Sequence, residues 1–187
     1  YGAEWYNNRP ILTDRAAKHN TTLPFTRNVV GPMDYTPGTF SDSQHPHITS
    51  HGHELALTVV FESALQHMPD RPESYCSLPE PVKEFLSSLP TSWDKTKLLA
   101  GYPGESVVLA RRKGHTWYIG GLNGTDAPQT LSFRTAVLSG TNKTITLFKD
   151  GAEERSFTIE EGSNLSDFPA IIGVDCAPRG GFVAIIK

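Results

Sequence analysis

The stretch Leu23-Pro-Phe-Thr-Arg-Asn-Val-Val-Gly-Pro-Met-Asp-Tyr-Thr-Pro-Gly-Thr-Phe40 decides how this chain is read. Its apolar run stops at Gly31-Pro32, and a second break follows at Pro37-Gly38. The pattern predicts a buried strand over Leu23–Val30 that hands Met33, Asp34 and Tyr35 to a tight loop. In parallel α/β architectures, ligands are held by the loops after the carboxyl ends of the strands, so polar residues there have a chemical use. The same residues also suit an ordinary strand and turn, with Asp34 accepting turn hydrogen bonds.

Upstream, residues 1–22 are polar and aromatic without clear period, with a short helix expected around Ile11–Lys18. Downstream lies a His-rich polar segment, Ser41–Gly52. Then Glu54–Met68 places apolar side chains nearly all round a helix of about four turns, the pattern of a helix buried between layers. Pro69 and Pro72 close it, because proline lacks the donor that a continuing helix needs. A second helix is predicted over Glu80–Leu89, with Val82, Phe85, Leu86 and Leu89 on one face.

From Lys97 the grammar changes. Short β-rich runs recur at Thr96–Tyr102, Ser106–Arg112, Thr116–Leu122, Gln129–Arg134, Thr144–Lys149, Arg155–Glu160, Pro169–Val174 and Gly181–Lys187. Turn signals such as Lys113-Gly114, Asn123-Gly124 and Asp150-Gly151 separate them. This half reads as an antiparallel sandwich of about seven or eight strands. The fold class is therefore α/β plus all-β, divided into residues 1–94 and 95–187. One strand and two helices cannot close a layered core, so the first part is expected to be the end of a larger fold and the chain the C-terminal portion of a longer enzyme.

Composition excludes several classes. With 187 residues and a net charge of −3, the chain lacks the basic excess of a nucleic-acid binder. No apolar run approaches a membrane span, and Tyr1-Gly-Ala-Glu-Trp-Tyr6 lacks the basic and apolar regions of a signal peptide, so the chain as given reads as soluble. Cys76 and Cys176 fall in differently patterned halves and are expected to be free, buried thiols. Four Asn-X-Ser/Thr sequons stand at Asn20, Asn123, Asn142 and Asn164.

Gly2-Ala-Glu4-Trp5, Leu23-Pro-Phe-Thr-Arg27, Gly31-Pro-Met-Asp-Tyr-Thr-Pro-Gly38, Glu54-Leu-Ala with Val-Val-Phe-Glu-Ser63, Pro90-Thr-Ser-Trp-Asp94 and Gly180-Gly-Phe182 together resemble glycoside hydrolase family 97 in order and spacing. The resemblance implies the final part of a (β/α)8 barrel followed by a C-terminal antiparallel β-sandwich domain. It implies an exo-acting α-glycosidase that hydrolyses terminal α-linked glucose or galactose from oligosaccharides, with calcium in the active site. The family's general acid maps onto Glu4, which is also a possible calcium ligand. A glycosidic oxygen is a poor leaving group, so a carboxylic acid must protonate it as the bond breaks.

Asp34 and Tyr35 match the family's Met-Asp-Tyr motif. Arg27 and Asp34 are assigned to shaping the pocket or contacting the sugar, or alternatively to a structural ion pair; Trp5 stacks on the sugar or belongs to the core. The partner carboxylate and most calcium ligands belong to the absent N-terminal portion, the main partner of this chain, so the chain alone is expected to be inactive. A bacterial periplasmic or extracellular location is likewise what the resemblance implies. Two other readings stand beside it. His45, His47, His51 and His53 form either a polar loop with a helix N-cap at Ser50 or a zinc or copper site. The β-half is a support or a non-catalytic carbohydrate-binding module, although Trp117, Tyr118, Phe133 and Phe148 sit in apolar runs that read as core.

Overall fold

The computed structural model describes residues 10–42, 46–138, 144–153 and 155–187. Two short helices, α1 (Pro10–Thr13) and α2 (Ala16–Thr22), open it, followed by α3 (His51–Val60), α4 (Pro72–Cys76) and α5 (Glu80–Ser88). Among the described residues eight strands follow: β1 (Lys95–Tyr102), β2 (Ser106–Lys113), β3 (Thr116–Asn123), β4 (Gln129–Arg134), β5 (Thr144–Asp150), β6 (Phe157–Asn164), β7 (Ile171–Cys176) and β8 (Gly181–Ile186). Six form an antiparallel sheet in the order β1-β2-β3-β8-β5-β6, and β4 pairs with β7 in a second, two-stranded sheet.

The alternation of side chains along each strand builds a core on both faces of the large sheet. Val107, Leu109, Leu122 and Val183 point to one face, where they pack with Leu55, Val59, Val60 and Phe61 of the α3 region. Val108, Ala110, Ile119 and Ala184 point to the other and meet Leu131 and Phe133 of β4 and Ile172 and Val174 of β7. The result is three layers, helix on sheet on sheet, with every residue of α3 buried. Burying a Leu, Val or Phe side chain is worth about 1.5–3 kcal/mol, so α3 and the sheet stabilise each other strongly. The approach is close at Gly52, where a Cβ would stand 2.3 Å from the Gly181 carbonyl oxygen.

The β-half follows the sequence pattern, including Trp117, Phe133 and Phe148, each no more than 2% exposed. Tyr118 is half-buried, with its ring centroid 5.3 Å from that of Trp93. The first half departs from expectation in three places. Leu23–Val30 is not a strand: it forms two 3-10 turns, Leu23–Phe25 and Arg27–Val29. The Thr22 and Thr26 hydroxyls donate to the Lys18 and Thr22 carbonyls, which carries the helical course of α2 onward, and Val29 and Val30 are 71% and 85% exposed. Among the described residues, no strand precedes Lys95.

The helix expected to reach Met68 ends at Val60, because its last carbonyls find partners outside the helix. Gln66 Nε2 donates to Thr58 O (2.8 Å), and Arg111 Nε and Nη2 donate to Val59 O (2.6 Å) and Val60 O (2.8 Å). Phe61 then turns to extended geometry. Cys176 is buried as expected, but Cys76 is exposed near the end of the short surface helix α4. Two of the sequons are buried: Asn20 is 1% and Asn123 0% exposed, the latter donating to Ala127 O and Ala177 O. Asn164 is exposed, and Asn142 lies outside the described residues.

Candidate functional site

Helix α3 is held at both ends by side chains of the β-half. At its N-terminus the Ser50 hydroxyl caps the helix, accepting from His53 N at 3.0 Å, and donates to Asp150 Oδ1. Asp150 Oδ2 accepts from Ala177 N (2.9 Å) and Gly181 N (3.0 Å). At the C-terminus stands the Arg111 guanidinium. A carboxylate beside the free N–H groups and a cation beside the free carbonyls both complement the helix dipole.

From α3 a buried chain of hydrogen bonds runs to the segment that carries the Met-Asp-Tyr motif. His53 Nδ1 lies 3.1 Å from Gly180 O. A carbonyl only accepts, so Nδ1 carries the proton and Nε2 is an acceptor. Asn20 Nδ2 donates to that Nε2 at 3.1 Å, which orients the amide, and Asn20 Oδ1 accepts from the Tyr35 hydroxyl at 3.0 Å. The Tyr35 ring meets Phe61 edge-on with centroids 4.6 Å apart.

The rest of the segment is tied at close intervals. Met33 N donates to Glu62 O (2.9 Å), Thr39 N to Glu54 Oε2 (3.3 Å), and Phe40 N and Ser41 N both to Asp70 Oδ2 (2.8 Å). Glu54, buried and accepting from Thr49 Oγ1 at 2.6 Å, has its carboxyl pushed up to about 6 by that burial. Met33 and Tyr35 are buried while Asp34 between them is exposed, the alternation of an extended chain. The arrangement presents Asp34 outward from a backbone that its neighbours hold fixed.

Of the other expected site residues, Arg27 is exposed and donates to Gly31 O (3.3 Å) and Pro32 O (3.2 Å), closing the turn before the motif. Tyr35 faces the core rather than solvent. Glu4, Trp5 and His45 lie outside the described residues. Ser50 is the N-cap that its position suggested. His51 Nε2 lies 3.1 Å from Phe40 O, and His47 Nδ1 lies 2.7 Å from Asp42 Oδ1. Among the described residues, no group of three or more His, Cys, Asp or Glu is placed to hold a metal ion. Asn20, read from sequence only as a sequon, Asp150, read only as a turn residue, and Arg111 take their places here through partners distant in the chain.

The buried histidines give the fold a pH dependence. Burial holds His53 and His47 at about 4, below the ordinary 6.5, with Arg155 adding to the effect at His47. The unfolded chain therefore takes up protons from about pH 6.5 downward that the folded chain refuses, and stability falls as pH falls toward 4. Glu54 works the other way between 4.5 and about 6, because the folded chain holds its proton more tightly. Burial also raises Asp150, which acts with Glu54, and lowers His51, which acts with the other histidines; the two histidines held at about 4 outweigh the carboxyls. Thermal melting is expected to show a lower Tm at pH 5 than at pH 7; a Tm that is flat or rises on acidification would contradict this balance.

Residues 92–187 match the family described as "Glycosyl-hydrolase 97 C-terminal, oligomerisation". The chain is 35% identical over 189 residues to a retaining α-galactosidase of Bacteroides thetaiotaomicron, covering 91% of this chain and 27% of that protein. It is 54% identical over 105 residues to a probable retaining α-galactosidase of Streptomyces bingchenggensis, covering 56% of this chain and 16% of that protein. The chain thus spans about a quarter or less of these relatives. Among solved structures, a β-arabinopyranosidase superposes with a TM-score of 0.85 at 26% identity, over 98% of this chain and 30% of that one. A glycoside hydrolase family 97 enzyme from Pseudoalteromonas sp. strain K8, in complex with panose, gives 0.79 at 28% identity, over 91% of this chain and 28% of that one.

Proposed function

The chain belongs to glycoside hydrolase family 97, and from that premise we propose that it is the C-terminal part of a retaining exo-α-galactosidase acting on terminal α-linked sugars of oligosaccharides. The observation that carries the proposal is the likeness to a retaining α-galactosidase across 91% of the chain, through the segment of Asp34 as well as the sheet. Galactose is preferred to glucose on the same ground. In this reading residues 1–94 complete a catalytic (β/α)8 barrel contributed mostly by the N-terminal portion. Residues 92–187 buttress it through α3 and take part in the self-association for which the matched family is described.

The chemistry of this chain centres on Glu4. Retention needs two carboxyl groups about 5–5.5 Å apart, one attacking the anomeric carbon and the other protonating the leaving oxygen and then taking a proton from water. Glu4 is the second of these; the nucleophile is supplied by the N-terminal portion. Asp34 faces the pocket and meets sugar hydroxyls, and Trp5 lies against the sugar ring. Calcium takes six to eight oxygen ligands, and the described residues offer no such cluster. From this chain Glu4 would reach the ion, which would polarise oxygens in the pocket. The enzyme works in the bacterial periplasm or outside the cell.

The test is Asp34→Ala in the full-length enzyme, assayed on an α-galactoside. Loss of a sugar contact is expected to lower kcat/KM by about tenfold or more with little change in Tm, since the exposed side chain contributes little to the core. An unchanged kcat/KM would return residues 31–38 to the role of a turn.

A further inference from the structure

We propose that Asn20 and His53 are positioning residues for the catalytic pocket, seating Tyr35 and through it the adjacent Asp34. The inference rests on the reading of Asp34 as a pocket residue. It starts from a directed chain of three hydrogen bonds, Tyr35 to Asn20 (3.0 Å), Asn20 to His53 (3.1 Å) and His53 to Gly180 (3.1 Å). The Gly180 carbonyl allows one tautomer of His53, that tautomer allows one orientation of the Asn20 amide, and that orientation leaves one acceptor for the Tyr35 hydroxyl. Each choice dictates the next.

Burial makes the choice strict. His53, Asn20 and Tyr35 are 0%, 1% and 5% exposed, so a broken link leaves a polar group without water to replace its partner. The chain joins α2, α3, the turn before β8 and the motif segment. It reaches that segment at Tyr35, on the other side of Asp34 from Met33, whose N–H is held by Glu62 O, so Asp34 stands between two fixed neighbours. Tyr35 and Asp34 share one extended stretch with side chains on opposite sides, so a shift of the ring is a shift of the carboxylate. Reacting groups lose rate steeply with displacements of an ångström, which is the scale of motion a lost hydrogen bond permits.

Two substitutions at one position separate positioning from simple support. In His53→Gln the amide reaches where Nε2 stands and still accepts from Asn20, giving up Gly180. In His53→Asn it reaches where Nδ1 stands, keeping Gly180 and leaving Asn20 without its acceptor. Tyr35→Phe removes the hydroxyl and keeps the ring against Phe61. All three are made in the full-length enzyme, with Asp34→Ala alongside, and kcat and KM are measured per folded molecule on an α-galactoside. His53→Asn and Tyr35→Phe are expected to lose about tenfold in kcat with KM within about twofold, and His53→Gln to recover most of that loss although its Tm also falls. Parental kcat in folded His53→Asn and Tyr35→Phe, with Asp34→Ala impaired, would overturn the proposal and leave the chain of bonds a purely structural tie. Were Asp34→Ala unimpaired, the reading of the pocket would fail, and this proposal with it.

Discussion

Glu4→Gln in the full-length enzyme is expected to lower kcat on an α-galacto-oligosaccharide by about 10²–10⁴-fold, the usual range for loss of a general acid. The same change should cost much less in the first chemical step on a nitrophenyl α-galactoside. The reason is the leaving group. A sugar alkoxide is a strong base and cannot depart without a proton, whereas nitrophenolate is stable as an anion and needs none. The proposed retaining course adds a second signature, because on it the residue that protonates the leaving oxygen must next activate water. With glutamine in place, the aryl substrate should therefore release a rapid burst of nitrophenol, equal to the enzyme present, and then turn over slowly. Equal losses in the first chemical step on both substrates, with no burst of nitrophenol, would mean that Glu4 supports the pocket without donating a proton. No loss on either would remove it from the site.

Arg111→Met is expected to be the most damaging change to stability, at about 3 kcal/mol, or a fall of about 6–12 °C in Tm. The side chain is 3% exposed, and its guanidinium donates to Val59 O, Val60 O, Thr96 Oγ1 (2.9 Å) and Glu62 Oε2 (3.3 Å). Methionine fills much of the same volume but leaves two helix carbonyls in a dry interior without donors. The Glu62 contact adds little, because that carboxylate is 42% exposed. Lysine should recover part of the loss, since a single ammonium cannot present the parallel donors of the guanidinium fork to successive carbonyls. Thermal or urea unfolding decides the matter; a loss below about 1 kcal/mol would show that the carbonyls find other partners. Fraying of α3 at this end would also disturb Glu62, whose carbonyl holds Met33.

The parts of the fold legible in the sequence are those built from near neighbours. Each hairpin strand is announced by its own alternation and by turn residues beside it, so β1 to β5 and β8 fall close to where the pattern places them. The Ser50 cap is legible for the same reason, its partner His53 being three residues away. What the sequence hides is decided at a distance. Leu23–Val30 is an exception: its apolar run suits a strand or a helical turn equally, and threonine hydroxyls bonding four residues back settle it as turns. Glu54–Met68 has a helical pattern throughout, yet Arg111, 52 residues from Val59 in sequence, takes the carbonyls that would end the helix anywhere. The site divides in the same way. Asp34 and Tyr35 stand out by motif, but the hydroxyl of Tyr35 turns inward to Asn20, and the link from His53 to Gly180 spans 127 residues. No local signal marks Asn20, which reads from sequence only as a sequon.

That burial of Asn20, shared by Asn123, bears on where the protein can be produced. A eukaryotic secretory host attaches glycans to nascent chains in the endoplasmic reticulum, before such a core has closed. A sugar fixed to either asparagine would occupy the space of Tyr35 and His53, or of the Ala127 and Ala177 carbonyls, and the layers could not come together around it. A bacterial host without that machinery leaves both amides free for the bonds they make. Replacing the hydroxyl residue of each sequon, Thr22 or Thr125, would spare the asparagines themselves where a secretory host is required.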